Sequence, residues 1–198
     1  MKSSVLKIVL SVVVIGLSYW LYRIIQAPIQ FNKKHNMRQE RVIERMMQIR
    51  SAELAFKTAH GEYSDNFDEL LAFADTGSIL IIQHRDSSFE RMNKVYMIPE
   101  IIDTVIIDTL GRIGVRDSLF KEVQVADLRY IPYAKKGTEF KLDAGQITKE
   151  GGLTVHVFEL IAPKEDWLRG MDKALISTNA DNLVIGSMQE ASISGNWQ

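Results

Sequence analysis

The sequence feature that most constrains this chain is an uncharged apolar run near its N-terminus. Residues 8–22 carry no charge, and Lys7 and Arg23 bracket them. If both basic side chains reach outward to the membrane surface, the apolar segment extends over residues 5–25. A helix rises about 1.5 Å per residue, so a segment of this length can cross a hydrocarbon layer of about 30 Å.

Aromatic residues gather at the end of the run, where ring side chains favour the membrane–water interface. We therefore predict that residues 1–27 form a membrane-spanning helix that is retained as a signal anchor. The residues expected to set its depth in the bilayer are Val5, Lys7, Ile8, Tyr19, Trp20, Tyr22, Arg23 and Ile25.

Two other interpretations of the run compete with an anchor. A cleavable signal peptide needs small residues at its cleavage site, but Ile25 lies two positions before Ala27, and Pro28 follows. A buried core helix is the second competitor. The chain has no cysteine, which excludes a lipid-modified cysteine, disulfides and thiolate metal sites.

Basic residues on either side of the run predict the orientation of the chain. Lys2 and Lys7 favour a cytoplasmic N-terminus, whereas Arg23, Lys33 and Lys34 favour the opposite arrangement. Short N-terminal tails usually stay in the cytoplasm. We therefore expect a single-pass membrane protein whose C-terminal domain is extracytoplasmic, in the periplasm of a cell envelope.

A second helical pattern follows the apolar run. Apolar residues recur with helical spacing and predict one buried face between about residue 29 and residue 60: Val42, Met46, Ile49 and Phe56. Gly61 can adopt the left-handed conformation that ends a helix. The first part is polar, so we interpret residues 28–61 as a stalk that continues into the first helix of the domain.

Basic residues are concentrated on this stalk. Residues 33–50 contain six of them: Lys33, Lys34, Arg38, Arg41, Arg45 and Arg50. A solvated helix face is the interpretation that we favour, and contact with anionic lipid headgroups is the second. Nucleic-acid binding is not expected, because no Phe, Tyr or Trp is interleaved with the basic residues between position 33 and Phe56, and the formal net charge is −1.

The remaining residues, 62–198, are expected to form a single α+β domain. Asn66 is a good N-cap with Glu69 three residues later, which predicts a capping box and a short helix that ends at Gly77. Gly111 to Gly114 is interpreted as a turn. The apolar pattern predicts strands at residues 79–84, 94–98, 104–108, 123–131, 138–142, 146–149, 153–161 and 183–187.

The clearest predicted strand pair joins residues 146–149 to residues 153–160. Glu150, Gly151 and Gly152 lie between them, and glycine permits the positive φ angles of a tight hairpin. Hairpins between neighbouring strands imply an antiparallel sheet. The predicted fold is therefore α+β: a transmembrane helix extended by an amphipathic helix, followed by a mainly antiparallel β-sheet domain.

The passage that joins the long helix to the strands resembles a known family. Its pattern is an alanine-rich helix end, then G-x-Y, then F-x-x-L, and it comprises Ala52, Leu54, Ala55, Phe56, Gly61, Tyr63, Phe67 and Leu70. With the helix order around it, this passage resembles the type IV pilins and the type II secretion pseudopilins. That resemblance implies a long N-terminal helix carrying a small antiparallel sheet, in a component of the cell envelope.

The N-terminus of the chain departs from the pattern of that family. Pilins carry a short basic leader that ends in a small residue, and a glutamate inside the apolar segment that faces the amino terminus of a neighbouring subunit. Here no acidic residue precedes Glu40. The resemblance therefore implies an anchored relative or an accessory subunit of such a machine rather than a polymerised pilin.

The sequence contains no recognisable motif for catalysis, cofactor binding or metal binding. Phosphate-binding loops, nucleophile elbows and dinucleotide-binding motifs are missing. No two of the histidines have metal-ligand spacing: His35, His60, His84 and His156. Three aspartates are interpreted as turn caps or surface charges: Asp103, Asp108 and Asp117. We therefore predict no enzyme activity, no cofactor and no metal.

The favoured function is a non-enzymatic, membrane-anchored structural or assembly component of an envelope complex. Its expected partners are the lipid bilayer and either other envelope proteins or further copies of itself. A tethered ligand-binding or sensory domain is the alternative, and an enzyme with a site built from dispersed residues is a third. Trp167 is predicted to pack, whereas Trp197 can dock the C-terminal tail or stay exposed for a partner.

Overall fold

The computed structural model of the chain describes residues 2–92, 99–121, 123–149 and 151–197. Its elements in chain order are α1 (Lys2–His60), α2 (Phe67–Thr76), β1 (Ser78–Met92), β2 (Pro99–Gly114), α3 (Val115–Leu119), β3 (Lys141–Thr148), β4 (Thr154–Ala162), α4 (Lys164–Trp167), α5 (Lys173–Asn179) and β5 (Leu183–Gly186). A 3₁₀ turn at Val125–Asp127 lies between α3 and β3. The α+β class is confirmed: a long N-terminal helix precedes antiparallel sheets.

Helix α1 is continuous over 59 residues and is therefore about 88 Å long. The amphipathic helix predicted from about residue 29 to residue 60 is the continuation of the N-terminal helix, because Pro28 lies inside α1. Proline removes one backbone hydrogen bond, but the helix continues on both sides of it. At the other end Gly61 has φ +86°, and its N–H donates to the carbonyl of Lys57 at 2.8 Å, which confirms the predicted stop.

The predicted buried face of α1 is confirmed. Val42, Met46 and Ile49 are fully buried, and Phe56 is nearly so. They belong to a core that also contains α2, the centre of β4 and the segment around Trp167. The C-terminal half of α1 is therefore the central helix of the folded head, a name used below for residues 31–197.

Helix α2 begins as predicted after Asn66, whose side-chain oxygen accepts from the N–H of Asp68 at 2.8 Å. The second hydrogen bond of the predicted capping box, from the N–H of Asn66 to the side chain of Glu69, is wrong. The N–H of Asn66 donates instead to the hydroxyl of Ser64 at 3.2 Å, so this donor is already paired. Gly77 ends the helix, and its N–H donates to the carbonyl of Phe73.

A three-stranded antiparallel sheet, in the order β3-β4-β5, packs in the head. The predicted hairpin is confirmed: Thr148 pairs with Thr154, and Gly151 and Gly152 have φ angles of +98° and +78°. One strand, β3, takes the place of the two predicted at 138–142 and 146–149; it begins at Lys141, so residues 138–140 lie outside it. Strand β5 matches its prediction within one residue.

The strand predicted at residues 123–131 is wrong. This segment contains the 3₁₀ turn and irregular chain, and its buried residues are Val125, Leu128 and Ile131. They recur every third residue, which suits a tight helical turn, whereas a half-buried strand needs alternation.

Strands β1 and β2 form a separate two-stranded antiparallel ribbon, paired from Ser78 with Gly114 to Met92 with Pro99. At about 3.3 Å per residue its 15 paired positions extend about 50 Å. The strands predicted at 79–84 and 104–108 lie inside it. The turn predicted at Gly111 to Gly114 is wrong, because these residues end β2. The predicted strand at 94–98 lies outside the described residues.

Gly186, at the end of β5, is expected to tolerate no side chain. Its φ is +79°, and a Cβ there would collide with the carbonyl oxygen of Phe158 on the neighbouring strand. We expect Gly186→Ala to lower the free energy of unfolding by about 2–4 kcal/mol. Gly111→Ala is the matched control, since nothing lies near that position. Urea unfolding of both variants measures the difference, and equal stabilities would contradict it.

Candidate membrane anchor and its junction with the head

The N-terminal part of α1 is long and apolar enough to cross a membrane. An 18-residue window there reaches a mean hydropathy of 1.6, and none of its residues is buried in the protein. No other helix in the described ranges meets the same criteria. A helix of this length and composition could therefore serve as a membrane anchor.

The residues predicted to set the anchor's depth lie on this helix. Tyr19, Trp20 and Tyr22 are each about 60% exposed, and Ile25 is 52% exposed. Lys7 and Arg23 are also exposed. Val5 and Ile8 lie within α1, but their side chains fall outside the described part of the structure.

The polar residue Ser11 is accommodated in this apolar segment by the helix itself. Its hydroxyl donates to the carbonyl of Lys7 at 3.0 Å, one turn earlier. In a hydrocarbon environment this bond satisfies a donor that water cannot reach. The Ser11 hydroxyl therefore needs no hydrogen-bond partner from outside the helix.

The head begins a short distance beyond the apolar segment. Among the residues of α1 whose side chains the structure describes, Phe31 is the first to be buried, at 6% exposure. Six residues separate it from Ile25, which is about 9 Å of helix. Its ring stacks on His35, and His35 in turn contacts the ring of the buried Trp167, with ring centres 5.8 and 5.2 Å apart. Contacts between α1 and the rest of the head therefore begin at Phe31, close to the start of the segment predicted as stalk and first domain helix.

Arg38 ties this part of α1 to the head by hydrogen bonds. Its guanidinium donates to the carbonyl of Trp167 at 3.2 Å and to that of Arg169 at 2.9 Å. The same group lies 5.1 Å from the centre of the Tyr133 ring, over its face. A planar guanidinium can serve two carbonyls and one ring at once, which a lysine cannot.

Arg45 makes a similar contact two helical turns later on nearly the same face, since its guanidinium donates to the carbonyl of Asp127. The predicted solvated face is therefore wrong for Arg38 and Arg45. Lys33 and Lys34 remain exposed, and Arg41 forms a surface ion pair with Glu44 at 3.1 Å. Arginines that appear in the sequence as a basic run thus divide into two that bind the head and others that face solvent.

The two tryptophans singled out in the sequence lie against the core. Trp167 is 1% exposed, as predicted. Trp197 is partly buried against the core, and the tail before it follows β5: the N–H of Asn196 donates to the carbonyl of Val184 at 3.0 Å. The tail therefore docks, and a partner contact through Trp197 stays a prediction.

One buried ionisable residue was missed in the sequence. Glu53 is fully buried on α1, and its Oε2 accepts from the N–H of Ser64 at 3.1 Å, whereas Oε1 has no partner in the structure. Burial raises the pKa of Glu53 to about 8, the Ser64 hydrogen bond opposes this, and the charge of Asp65 adds to it. The helical spacing could have predicted its burial, since Glu53 follows Ile49 by four residues and so lies on the same buried face of α1.

The aspartates singled out in the sequence lie apart from one another in the described structure. Asp108 on β2 pairs with Arg85 at 3.8 Å, Asp103 lies exposed on the same strand, and Asp117 lies in α3. Within the described ranges, no group of three or more histidine, aspartate or glutamate residues could hold a metal ion. His60 stacks on Phe56 with ring centres 4.1 Å apart.

Comparisons of the chain with known protein families, with curated proteins and with solved structures found no match.

Proposed function

We propose that this protein is a non-enzymatic structural or assembly component of a cell-envelope complex. In this proposal the apolar part of α1 crosses the membrane, and the head lies outside the cytoplasm. The lipid bilayer and other protein subunits, including further copies of the chain, are its partners.

The observation that carries the proposal is the double role of α1. The same uninterrupted helix exposes an apolar surface over its N-terminal part and forms the central core helix of the head from Phe31 onward. The contacts of Arg38 and Trp167 lie close to the expected membrane surface. A head that continues directly from a membrane-spanning helix is suited to holding its outer surface at a constant distance from the membrane.

The ribbon formed by β1 and β2 supports assembly over a purely soluble role for the head. It exposes large apolar side chains on both strands: Leu80, Phe89, Met92, Ile101, Ile106 and Leu110. Long strand edges with exposed apolar residues attract other chains unless they are covered. A protein partner on the ribbon would remove this surface from water.

The resemblance of residues 49–73 to pilins and pseudopilins supports the same class of function. A long helix that leads into an antiparallel sheet is the order that this resemblance implies. Because no acidic residue precedes Glu40, we propose an accessory, anchored role rather than polymerisation through the N-terminal helix.

Cysteine labelling tests the placement of the protein, since the chain has no cysteine of its own. Lys136→Cys in the head should react with a membrane-impermeant maleimide in intact cells. Lys2→Cys should react only after the membrane is opened. The reverse pattern would overturn the orientation, and loss of the protein from membranes in alkaline carbonate would overturn the anchor.

Photo-cross-linking in intact membranes tests the assembly role. A cross-linking residue at Phe89 on the ribbon should give discrete adducts larger than the monomer, and the same residue at Lys136 provides the control site. If monomer alone is recovered from Phe89, the assembly proposal fails.

A ligand-binding or sensory head is the second candidate function, and one cleft favours it. The cleft has a volume of about 330 Å³ and is lined by Arg41, Arg45, Asp127 and Tyr133 among others. Tyr133 has φ +65°, an uncommon conformation for a residue other than glycine. Saturable shifts in melting temperature with small anions, abolished in Arg41→Gln, would favour this function over assembly.

A further inference from the structure

The outer edge of β2 is open. Within the part of the chain that the structure describes, neither strand of the ribbon pairs with a third strand. Each strand therefore presents a row of backbone N–H and C=O groups along one edge. A two-stranded ribbon is marginally stable by itself in water, so an added strand would stabilise it.

The order of residue types in β2 fits a second copy of the same strand running antiparallel. Residues 103–109 read D-T-V-I-I-D-T. When position 106 of one copy faces position 106 of the other, position 105 faces 107, 104 faces 108 and 103 faces 109. Every apolar position then faces an apolar position, and every aspartate position faces a threonine position.

Other symmetric registers lose this match. Opposite residues of an antiparallel pair have side chains on the same face of the sheet. A two-fold axis perpendicular to the sheet therefore requires that one residue lies opposite the same residue of the other copy, and that residue defines the register. An axis at position 105 places both aspartates opposite isoleucines, and an axis at 107 places Asp108 opposite Ile106. An axis at 103 or 108 places an aspartate opposite itself, which is unfavourable for like charges.

The local structure of the ribbon agrees with this register. Ile106 is exposed, as are Asp103 and Asp108. Arg85 on β1 lies 3.8 Å from Asp108 and offsets its charge. Ile81 pairs with Gly111 and Ile82 with Thr109, so a bulge at residue 110 interrupts β2. Bulges end regular pairing, which leaves residues 99–109 as a continuous pairing segment that includes 103–109.

We propose that β2 pairs along its outer edge with β2 of a second copy of this chain, antiparallel and centred on Ile106. Two ribbons then form one four-stranded sheet. Backbone hydrogen bonds supply the affinity of such strand addition, and the match of residue types selects the register. The inference rests on the proposed assembly role and identifies one of its contacts as self-association.

Disulfide trapping of the full-length protein in lipid vesicles tests both the pairing and the register. Ile106→Cys places the two cysteines opposite each other on the two-fold axis, within reach of a disulfide. Under mild oxidation we expect covalent dimer from Ile106→Cys at roughly tenfold the level from Asp103→Cys, whose two copies are separated by about 20 Å in this register. Circular dichroism verifies that both variants remain folded.

A mixed experiment tests the register independently. Co-reconstituted Thr104→Cys and Asp108→Cys proteins should form the mixed dimer in preference to either dimer of one protein. Equal trapping at positions 103 and 106, or no trapping at 106 in folded protein, would overturn the inference. If trapping at 106 fails while cross-linking from Phe89 still yields larger adducts, the assembly role stands and the contact lies elsewhere.

Discussion

The double variant Val13→Arg with Leu17→Arg will not integrate into the membrane. The nine isoleucine, valine and leucine residues between positions 8 and 22 favour insertion by about 3–5 kcal/mol. Two arginines near the centre of the span cost about 5–7 kcal/mol, which exceeds that gain. Both positions lie one helical turn apart on the exposed apolar surface of α1. The fraction of protein that stays in the membrane after alkaline extraction measures the effect.

The matched control adds the same charges to the same helix outside the span. Asn32 and Asn36 are exposed and one turn apart, and replacing both with arginine should leave membrane retention unchanged. Retention of the Val13→Arg and Leu17→Arg variant would show that the apolar part of α1 does not cross the bilayer. Loss of both variants would indicate general misfolding rather than failed insertion.

The stability of the head is expected to fall as pH rises through the neutral range because of Glu53. The folded protein holds this proton up to about pH 8, whereas the ordinary pKa is 4.5. Between these values the folded state binds more protons than the unfolded state, so the free energy of unfolding decreases with increasing pH. A pKa raised this far corresponds to about 5 kcal/mol, all of which is lost above pH 8.

Glu53→Gln isolates this contribution. The amide keeps an acceptor for the N–H of Ser64 and has no charge to bury, so the variant should match the wild type near pH 4.5 and be several kcal/mol more stable at pH 9. Urea unfolding of the full chain in detergent across this pH range measures the difference. Glu62→Gln is the control, since Glu62 is exposed in the same region. If the difference in the free energy of unfolding between the wild type and Glu53→Gln does not change with pH, the role of Glu53 is contradicted.

Helix boundaries and the tight hairpin were predictable because their signals are local. Gly61 and Gly77 end helices, Asn66 starts one, and Gly151 and Gly152 turn the chain between β3 and β4. Each of these outcomes depends on the φ angle or the hydrogen bonds of a few neighbouring residues. Tertiary contacts did not have to be known to predict them.

Strand assignments failed where tertiary packing competes with local pattern. Val125, Leu128 and Ile131 are apolar enough for a strand, but they enter the core from a 3₁₀ turn and the irregular chain that follows it. Strand β2 extends to Gly114 because β1 pairs with it as far as that residue. Its two glycines, which suggest a turn in the sequence, therefore lie within the strand. Partners distant in the chain decided both cases.

What the sequence alone determined is the class of this protein: an N-terminal helix apolar enough to span a bilayer, continued by an amphipathic helix into an antiparallel α+β head. Periodicity and local end signals carry that information. The tertiary structure alone decided that Arg38 and Arg45 donate hydrogen bonds to carbonyls of the head. It also decided that Glu53 is buried and accepts a hydrogen bond from the N–H of Ser64. It also showed that β1 and β2 form a ribbon separate from the three-stranded sheet, with no third strand beside it among the described residues. These features depend on segments up to 131 residues apart meeting in space, which no local pattern encodes.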